Sequence, residues 1–267
     1  MYHLVHLPSL FALLAAICMP LAALAQTPDY RISDTNHHVW LMYFGDHKLT
    51  DTWGLHTEVQ VRRADLLNKS QQLLWRAGIN YSLPNGMLLT SGYALAKSSP
   101  YGDYPAKTAS KEHRIYEQLQ LTQPLGRVQL MHRYRLEQRW TQAAGSTTSL
   151  YFNRARYLLK ATLPLAGPTL EPNELYLSAY DEIFIGFGKN VHRNVFDQNR
   201  ASFVLGYKFS PAAALEIGYL HQLVQQRAPL STGETVVENN HTLQAGFIYN
   251  LDFRRKETPA LPTPAAP

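Results

Sequence analysis

Apolar and polar residues alternate with a period of two along most of the chain, the signature of strands that are apolar on one face only. Between Trp53 and Arg62 one face reads Trp53, Leu55, Thr57, Val59, Val61 and the other Gly54, His56, Glu58, Gln60, Arg62. After Arg127 the pattern sets Val128, Leu130, His132, Tyr134, Leu136 and Trp140 against Gln129, Met131, Arg133, Arg135, Glu137 and Arg139. A last strand sets Leu243, Ala245, Phe247, Tyr249, Leu251 and Phe253 against Thr242, Gln244, Gly246, Asn250 and Asp252. Similar segments at 39–48, 71–82, 87–97, 111–123, 148–163, 174–187, 198–209 and 214–226 bring the candidates to eleven, many of 10 to 14 residues. Strands in soluble domains run to about 5–6 residues, whereas tilted membrane-spanning strands need about 9–11. Length favours a membrane.

The connections alternate as well. Pro84-Asn85-Gly86, Leu125-Gly126 and Ser210-Pro211-Ala212-Ala213 read as short turns, and Ser98 to Ser110, Thr141 to Thr148, Gly188 to Asp197 and Arg227 to Asn240 as long polar loops. Short periplasmic turns and long external loops are the asymmetry of outer-membrane barrels; Pro164 to Asn173, longer but on the short side, departs from it. Single-chain bacterial barrels have even strand numbers. The expected fold is therefore an all-β, antiparallel up-and-down transmembrane β-barrel over 38–253 with about 12 strands (10–12). A twelfth strand would lie before Val39, or one candidate would fall short of a full span.

Alternation does not say which face meets the interior. Long polar side chains within the strands are mostly Arg, Glu and Gln, while Lys sits mainly near turns and ends; the planar guanidinium suits a packed network with carboxylates and amides. Aromatics such as Trp53, Trp140, Tyr207, Phe209, Tyr249 and Phe253 lie near strand ends on the apolar faces, as an interfacial girdle requires. The final Gln244-x-Gly246-x-x-Tyr249-x-Leu251-x-Phe253 resembles the aromatic C-terminal signature of barrels inserted by the outer-membrane assembly machinery. The polar face is accordingly expected to line the lumen. Its network comprises Glu58, Gln60, Arg62, Arg76, Arg114, Gln118, Arg133, Arg135, Glu137, Arg139, Arg154, Arg156, Glu182, Arg200, Lys208, Glu216 and Gln222. With Leu125-Gly126 as a two-residue turn, Gln118 pairs with Arg133, Tyr116 with Arg135 and Arg114 with Glu137, while Leu121 and Ile115 meet Leu130 and Leu136 outside. The Pro211-Ala212-Ala213 turn pairs Lys208 with Glu216. Glu117 and Asp181 fall on apolar faces, where only a bulge would turn them inward.

Composition adds bounds. The 267 residues suit one large all-β domain or two small ones, and a 45% hydrophobic share is ordinary. Met1 to Ala25, apolar from Leu10 and ending Ala23-Leu24-Ala25, reads as a secretory signal peptide. It contains Cys18, the single cysteine, so the expected mature chain has no thiol chemistry. Residues 26–37 read as an N-terminal arm and 254–267, basic and then Pro/Ala-rich, as a disordered tail. After Gln26 no stretch approaches the roughly 18 apolar residues of a spanning helix. A formal charge of +5 without a basic run argues against nucleic acid.

Several short strings carry a family resemblance. Glu58-x-Gln60-x-Arg62, Glu112-His113-Arg114 with Glu117-Gln118, and His132-Arg133-x-Arg135-x-Glu137-Gln138-Arg139 are similar to the domain of unknown function 2490 family. So are Arg154-x-Arg156-Tyr157, Asp197-Gln198-Asn199-Arg200 and Glu216-x-Gly218-Tyr219-Leu220-x-Gln222. The resemblance runs from about Trp40 to Phe253 and implies an outer-membrane barrel. It implies no activity.

Nine lumen arginines against five glutamates (Glu58, Glu112, Glu137, Glu182, Glu216) would favour small anionic solutes if a path exists. The same residues could instead seal a plugged barrel. Eight-stranded barrels fill with side chains and 16–18-stranded ones leave a channel, so about twelve lies between. A lipid-modifying hydrolase would use His132 or His221 as base. With Leu119 opposite His132 and Phe203 opposite His221, the required serine is missing and no catalytic residue is assigned. The adjacent pairs His37-His38 and Asp46-His47 lack metal-ligand spacing, so neither metal nor cofactor is expected. Asp103, Asp197 and Glu234 lie in loops, where they could meet ions bridging lipopolysaccharide. A surface-ligand or structural role through these loops is the remaining alternative. The expected setting is the outer membrane of a Gram-negative-type bacterium, with its lipids and lipopolysaccharide, and the barrel-assembly machinery during insertion, as partners.

Overall fold

The computed structural model describes residues 31–191 and 194–254; the signal peptide expected over Met1 to Ala25 and all but the first residue of the tail expected over 254–267 lie outside them. Each alternating segment forms one strand: β1 (Arg31–Lys48), β2 (Trp53–Ala64), β3 (Lys69–Ser82), β4 (Leu88–Ser98), β5 (Ser110–Leu125), β6 (Val128–Ala143), β7 (Leu150–Pro164), β8 (Glu174–Phe187), β9 (Phe196–Lys208), β10 (Ala213–Gln225) and β11 (Thr235–Tyr249). Consecutive strands pair antiparallel, and β1 closes the barrel against β11. Among the described residues there are eleven strands.

The odd number corrects the parity argument. β1 and β11 run parallel, from Arg31 beside Thr235 to Phe44 beside Ile248, so no twelfth strand is needed to close the sheet. Most of the segment expected as a loose arm belongs to β1, because Arg31 to His37 have ladder partners on β11. β11 in turn starts at Thr235, inside the expected loop, and ends at Tyr249. Beyond it Asp252 lies opposite Lys48 in a bridge, with Lys48 N donating to Leu251 O and Phe253 N to Lys48 O.

The polar faces turn inward. Glu58, Gln60 and Arg62 are buried while Leu55, Val61 and Trp53 are exposed, and the same division repeats around the barrel. Glu117 and Asp181 stay outside, each with an amide from the next strand. Gln138 Nε2 donates to Glu117 at 3.1 Å, and Asn199 Nδ2 donates to Asp181 at 3.0 Å.

Two expected registers shift by two residues. β5 and β6 meet through a Gly126-Arg127 turn, with Leu125 opposite Val128. Gly126 has φ of +60°, and glycine at the first central position is what a type II′ hairpin turn demands. Gln118 therefore faces Arg135, Tyr116 faces Glu137 and Arg114 faces Arg139; outside, Leu121 meets His132 and Ile115 meets Gln138. At the β9–β10 turn Ala213 N donates to Ser210 O, which puts Pro211 at the second turn position it favours. Lys208 then faces Ala214, and Glu216 faces Gly206. A shift of two keeps every side chain on its own face, which is why both registers looked consistent.

Gly206 shows how tightly the wall is fitted. The Tyr176 ring crosses it from β8 to reach Glu216 on β10, with 3.2 Å between hydroxyl and carboxylate. A Cβ on Gly206 would stand 2.1 Å from that ring. Gly206→Ala is expected to expel the ring and lower stability by about 1–3 kcal/mol, read as a lower urea midpoint.

Candidate functional site

Alternation on eleven strands points the longest polar side chains of the chain at one another. The arginines sort by whether they reach a carboxylate. Glu137, fully buried at 0% exposure, is the hub. Arg154 donates to its Oε2 from Nε at 2.8 Å and from Nη2 at 2.5 Å, and Arg156 Nη1 donates to Oε1 at 2.8 Å. Arg76 Nη2 stands 3.7 Å away and carries the chain of charge to Glu58, to which Arg76 Nη1 bonds. Glu182 accepts from Arg133 at 2.8 Å and Arg156 at 2.7 Å. Glu112 holds Arg114 at 2.7 Å together with Arg139. Bidentate and shared guanidinium–carboxylate bonds are the strong kind, and burial strengthens them.

Direct ladder neighbours are not the partners that register arithmetic proposes. Arg114 bonds Glu112 on its own strand rather than Glu137. Arg135 donates to Gln118 from Nε at 2.9 Å. Glu216 is met by Lys160 at 2.8 Å, while Lys208 donates to the Leu170 carbonyl at 2.7 Å. Long side chains lean along tilted strands, so some meet diagonally, whereas Glu58 with Arg76, Gln118 with Arg135 and Glu137 with Arg154 sit directly opposite one another. Gln222 donates to Gln198 at 2.5 Å.

Two bulges supply groups that alternation hides. Between Arg62 and Arg63 the β2–β3 ladder gains an extra residue, Gln71, whose buried side chain accepts the Trp40 Nε1–H at 2.8 Å. Between Phe184 and Ile185 the β8–β9 ladder slips at Asp197. Asp197, expected in a loop toward lipopolysaccharide, instead turns inward and meets Arg154 at 2.6 Å. Re-aiming one side chain is what a bulge does.

Inward aromatics complete the lining. Trp40 lies under Arg62, with 3.9 Å from guanidinium carbon to ring centre, and under Arg200 at 5.1 Å. Tyr116 supports Arg76 and Arg135, and Phe184 supports Arg154, Arg156 and Arg200. Between them remains a cavity of about 510 Å³.

The loop mouth is partly covered. Tyr101 donates to Glu238 at 2.6 Å and packs edge-on against His38. Burial and the Glu238 charge push its phenol pKa up, so it stays a donor. Gln226 Nε2 reaches the Tyr104 carbonyl at 2.8 Å, tying two loops together. Arg227 lies 3.6 Å over Phe152; burial and the nearby Arg139 pull its pKa down to about 10, which leaves it charged at neutral pH. At the turn mouth Asp46 accepts from His56 Nδ1 at 2.7 Å and from Asn80 at 2.8 Å.

The outward histidines have tyrosine neighbours. His132 Nδ1 is 2.9 Å from the Tyr157 hydroxyl and His241 Nδ1 is 2.5 Å from that of Tyr219. His221 faces Ala201 and His241, correcting the expected Phe203. Among the described residues no group of three His, Cys, Asp or Glu has metal-site geometry.

Wall and interior together define a class: a closed, largely antiparallel β-barrel with an apolar exterior and a charged, arginine-rich lumen. Residues 37–233 match the family described as protein of unknown function (DUF2490), and the chain belongs to that family. No curated protein and no solved structure matches the chain.

Proposed function

We propose that the protein is an integral outer-membrane β-barrel whose bore is obstructed by its own arginine–carboxylate network, leaving a polar chamber suited to small anions. The observation that carries this reading is the exposed apolar belt. Leu41, Trp75, Ile79, Phe203, Ile217 and Leu243 are all exposed on the barrel wall. A contiguous apolar surface of this extent is a liability in water and a requirement in lipid. Lipopolysaccharide and outer-membrane lipids are the natural neighbours of that belt, and insertion would fall to the barrel-assembly machinery. The inward aromatics and the buried ion pairs support obstruction over a wide pore, as the intermediate strand number does.

Cell fractionation tests the membrane half. The protein is expected in the outer-membrane fraction after an alkaline carbonate wash and should migrate faster in an unheated detergent gel than in a boiled one. Recovery in the aqueous fraction without detergent would refute it. Planar-bilayer recording tests the other half: steady porin-sized steps would rule out the obstructed bore.

A further inference from the structure

We propose that the lumen contains a binding site for a small oxyanion, a phosphate- or carboxylate-bearing solute, formed by Arg62 and Arg200 around Trp40. This deepens the reading above and rests on it. Six of the nine expected lumen arginines touch a carboxylate within 4 Å. Among the described residues Arg62, Arg135 and Arg200 do not. Arg135 is occupied by Gln118. Arg62 gives Nε and Nη2 to the Gln60 side-chain Oε1, and its Nη1 has no hydrogen-bond partner among the described residues. Arg200 makes no hydrogen bond to any described residue, and its fully enclosed Nε has no partner.

Both side chains are only 8% exposed. Glu182 stands across the ladder from Arg200 but gives its bonds to Arg133 and Arg156. A guanidinium removed from bulk water with no carboxylate in contact is costly, and removing the cost takes an anion or ordered water. Several features favour the anion. Both guanidiniums lie over one indole ring, which fixes their positions and holds two like charges close together. Each is a planar fork matched to the oxygens of carboxylate or phosphate. Both line the 510 Å³ cavity, which is the size of a small-molecule site. Gln60, Gln222 and Gln244 line the same space and could hydrogen-bond the rest of the solute. The carboxylates that line the same cavity, Glu58, Glu182 and Asp197 among them, are already held by Arg76, Arg156 and Arg154, so the groups left over at Trp40 are donors.

The test is equilibrium dialysis of the full-length protein, purified in zwitterionic detergent, against labelled inorganic phosphate and, separately, labelled citrate. Saturable binding of one or both is expected, and the two arms tell phosphate from carboxylate recognition. Arg200→Gln and Arg62→Gln should each weaken it at least tenfold, whereas Lys69→Gln, at an exposed pair with Asp65, should not change it. The bound anion should also raise the unfolding midpoint of the natural protein and not that of Arg200→Gln. A purely structural arginine would lower the midpoint when replaced and show no anion dependence. Saturable binding of neither anion, or undiminished binding by the double variant, overturns the site. Dialysis needs only a folded barrel, so a negative result from protein that still fractionates with membranes counts against the site alone.

Discussion

Glu137→Gln should destabilise the barrel by about 3–5 kcal/mol, the loss expected when one partner of a buried ion pair is removed and the other charges stay behind. Glu137 lies at the junction of the network, holding Arg154 and Arg156 directly and Arg76 at longer range. The amide keeps the shape of the side chain and loses the charge, so packing change is minimal and the measured loss is electrostatic. Urea unfolding in detergent, followed by tryptophan fluorescence, gives the midpoint. A second comparison isolates the coupling: Arg154→Gln should cost clearly less in the Glu137→Gln background than alone, because its main counter-charge is already gone. A loss below about 1 kcal/mol would mean that the lumen is wet enough to behave as an exposed surface.

If the apolar belt faces lipid as proposed, Phe203→Arg should cost up to about 2–4 kcal/mol in a bilayer, the penalty for a charge on the lipid-facing wall of a barrel. Phe203 is 54% exposed and flanked on the neighbouring strands by Ala179 and Tyr219, within the apolar belt. The substitution makes no clash, since the side chain points away from the barrel. In an aqueous setting the same change would be neutral or would improve solubility. Reversible unfolding into lipid vesicles gives the number, and Asp103→Arg in the exposed loop is the matched control that should leave it unchanged.

Much of this architecture was legible because a period of two is unforgiving about sides. Glu58, Arg76, Arg114, Glu137, Arg156 and Glu182 all point inward from stretches of strand that alternate without interruption. Register was less legible. Moving a hairpin by two residues, as at Gly126, swaps every partner and no face, so hydrophobic matching has nothing to detect. The bulges at Gln71 and Asp197 leave no local mark in composition, yet each brings a polar group into the network. Trp40 went unassigned, because no face was read within 39–48 and nothing local marks an inward tryptophan as a platform for Arg62. The tally of nine arginines against five glutamates was visible in the sequence, whereas which arginines go without a carboxylate depends on diagonal reach across tilted strands.

The seam between β1 and β11 has a consequence for assembly. Every other strand pair is a hairpin that can form as soon as its two arms exist, but this pair joins opposite ends of the polypeptide and lies side by side in the same direction. Until it zips, the nascent sheet has two raw edges, and Trp40 lacks its neighbours across the gap. Closure is then the late and slow event, and weakening the seam should leave open, edge-exposed sheets that a chaperone or protease would find first.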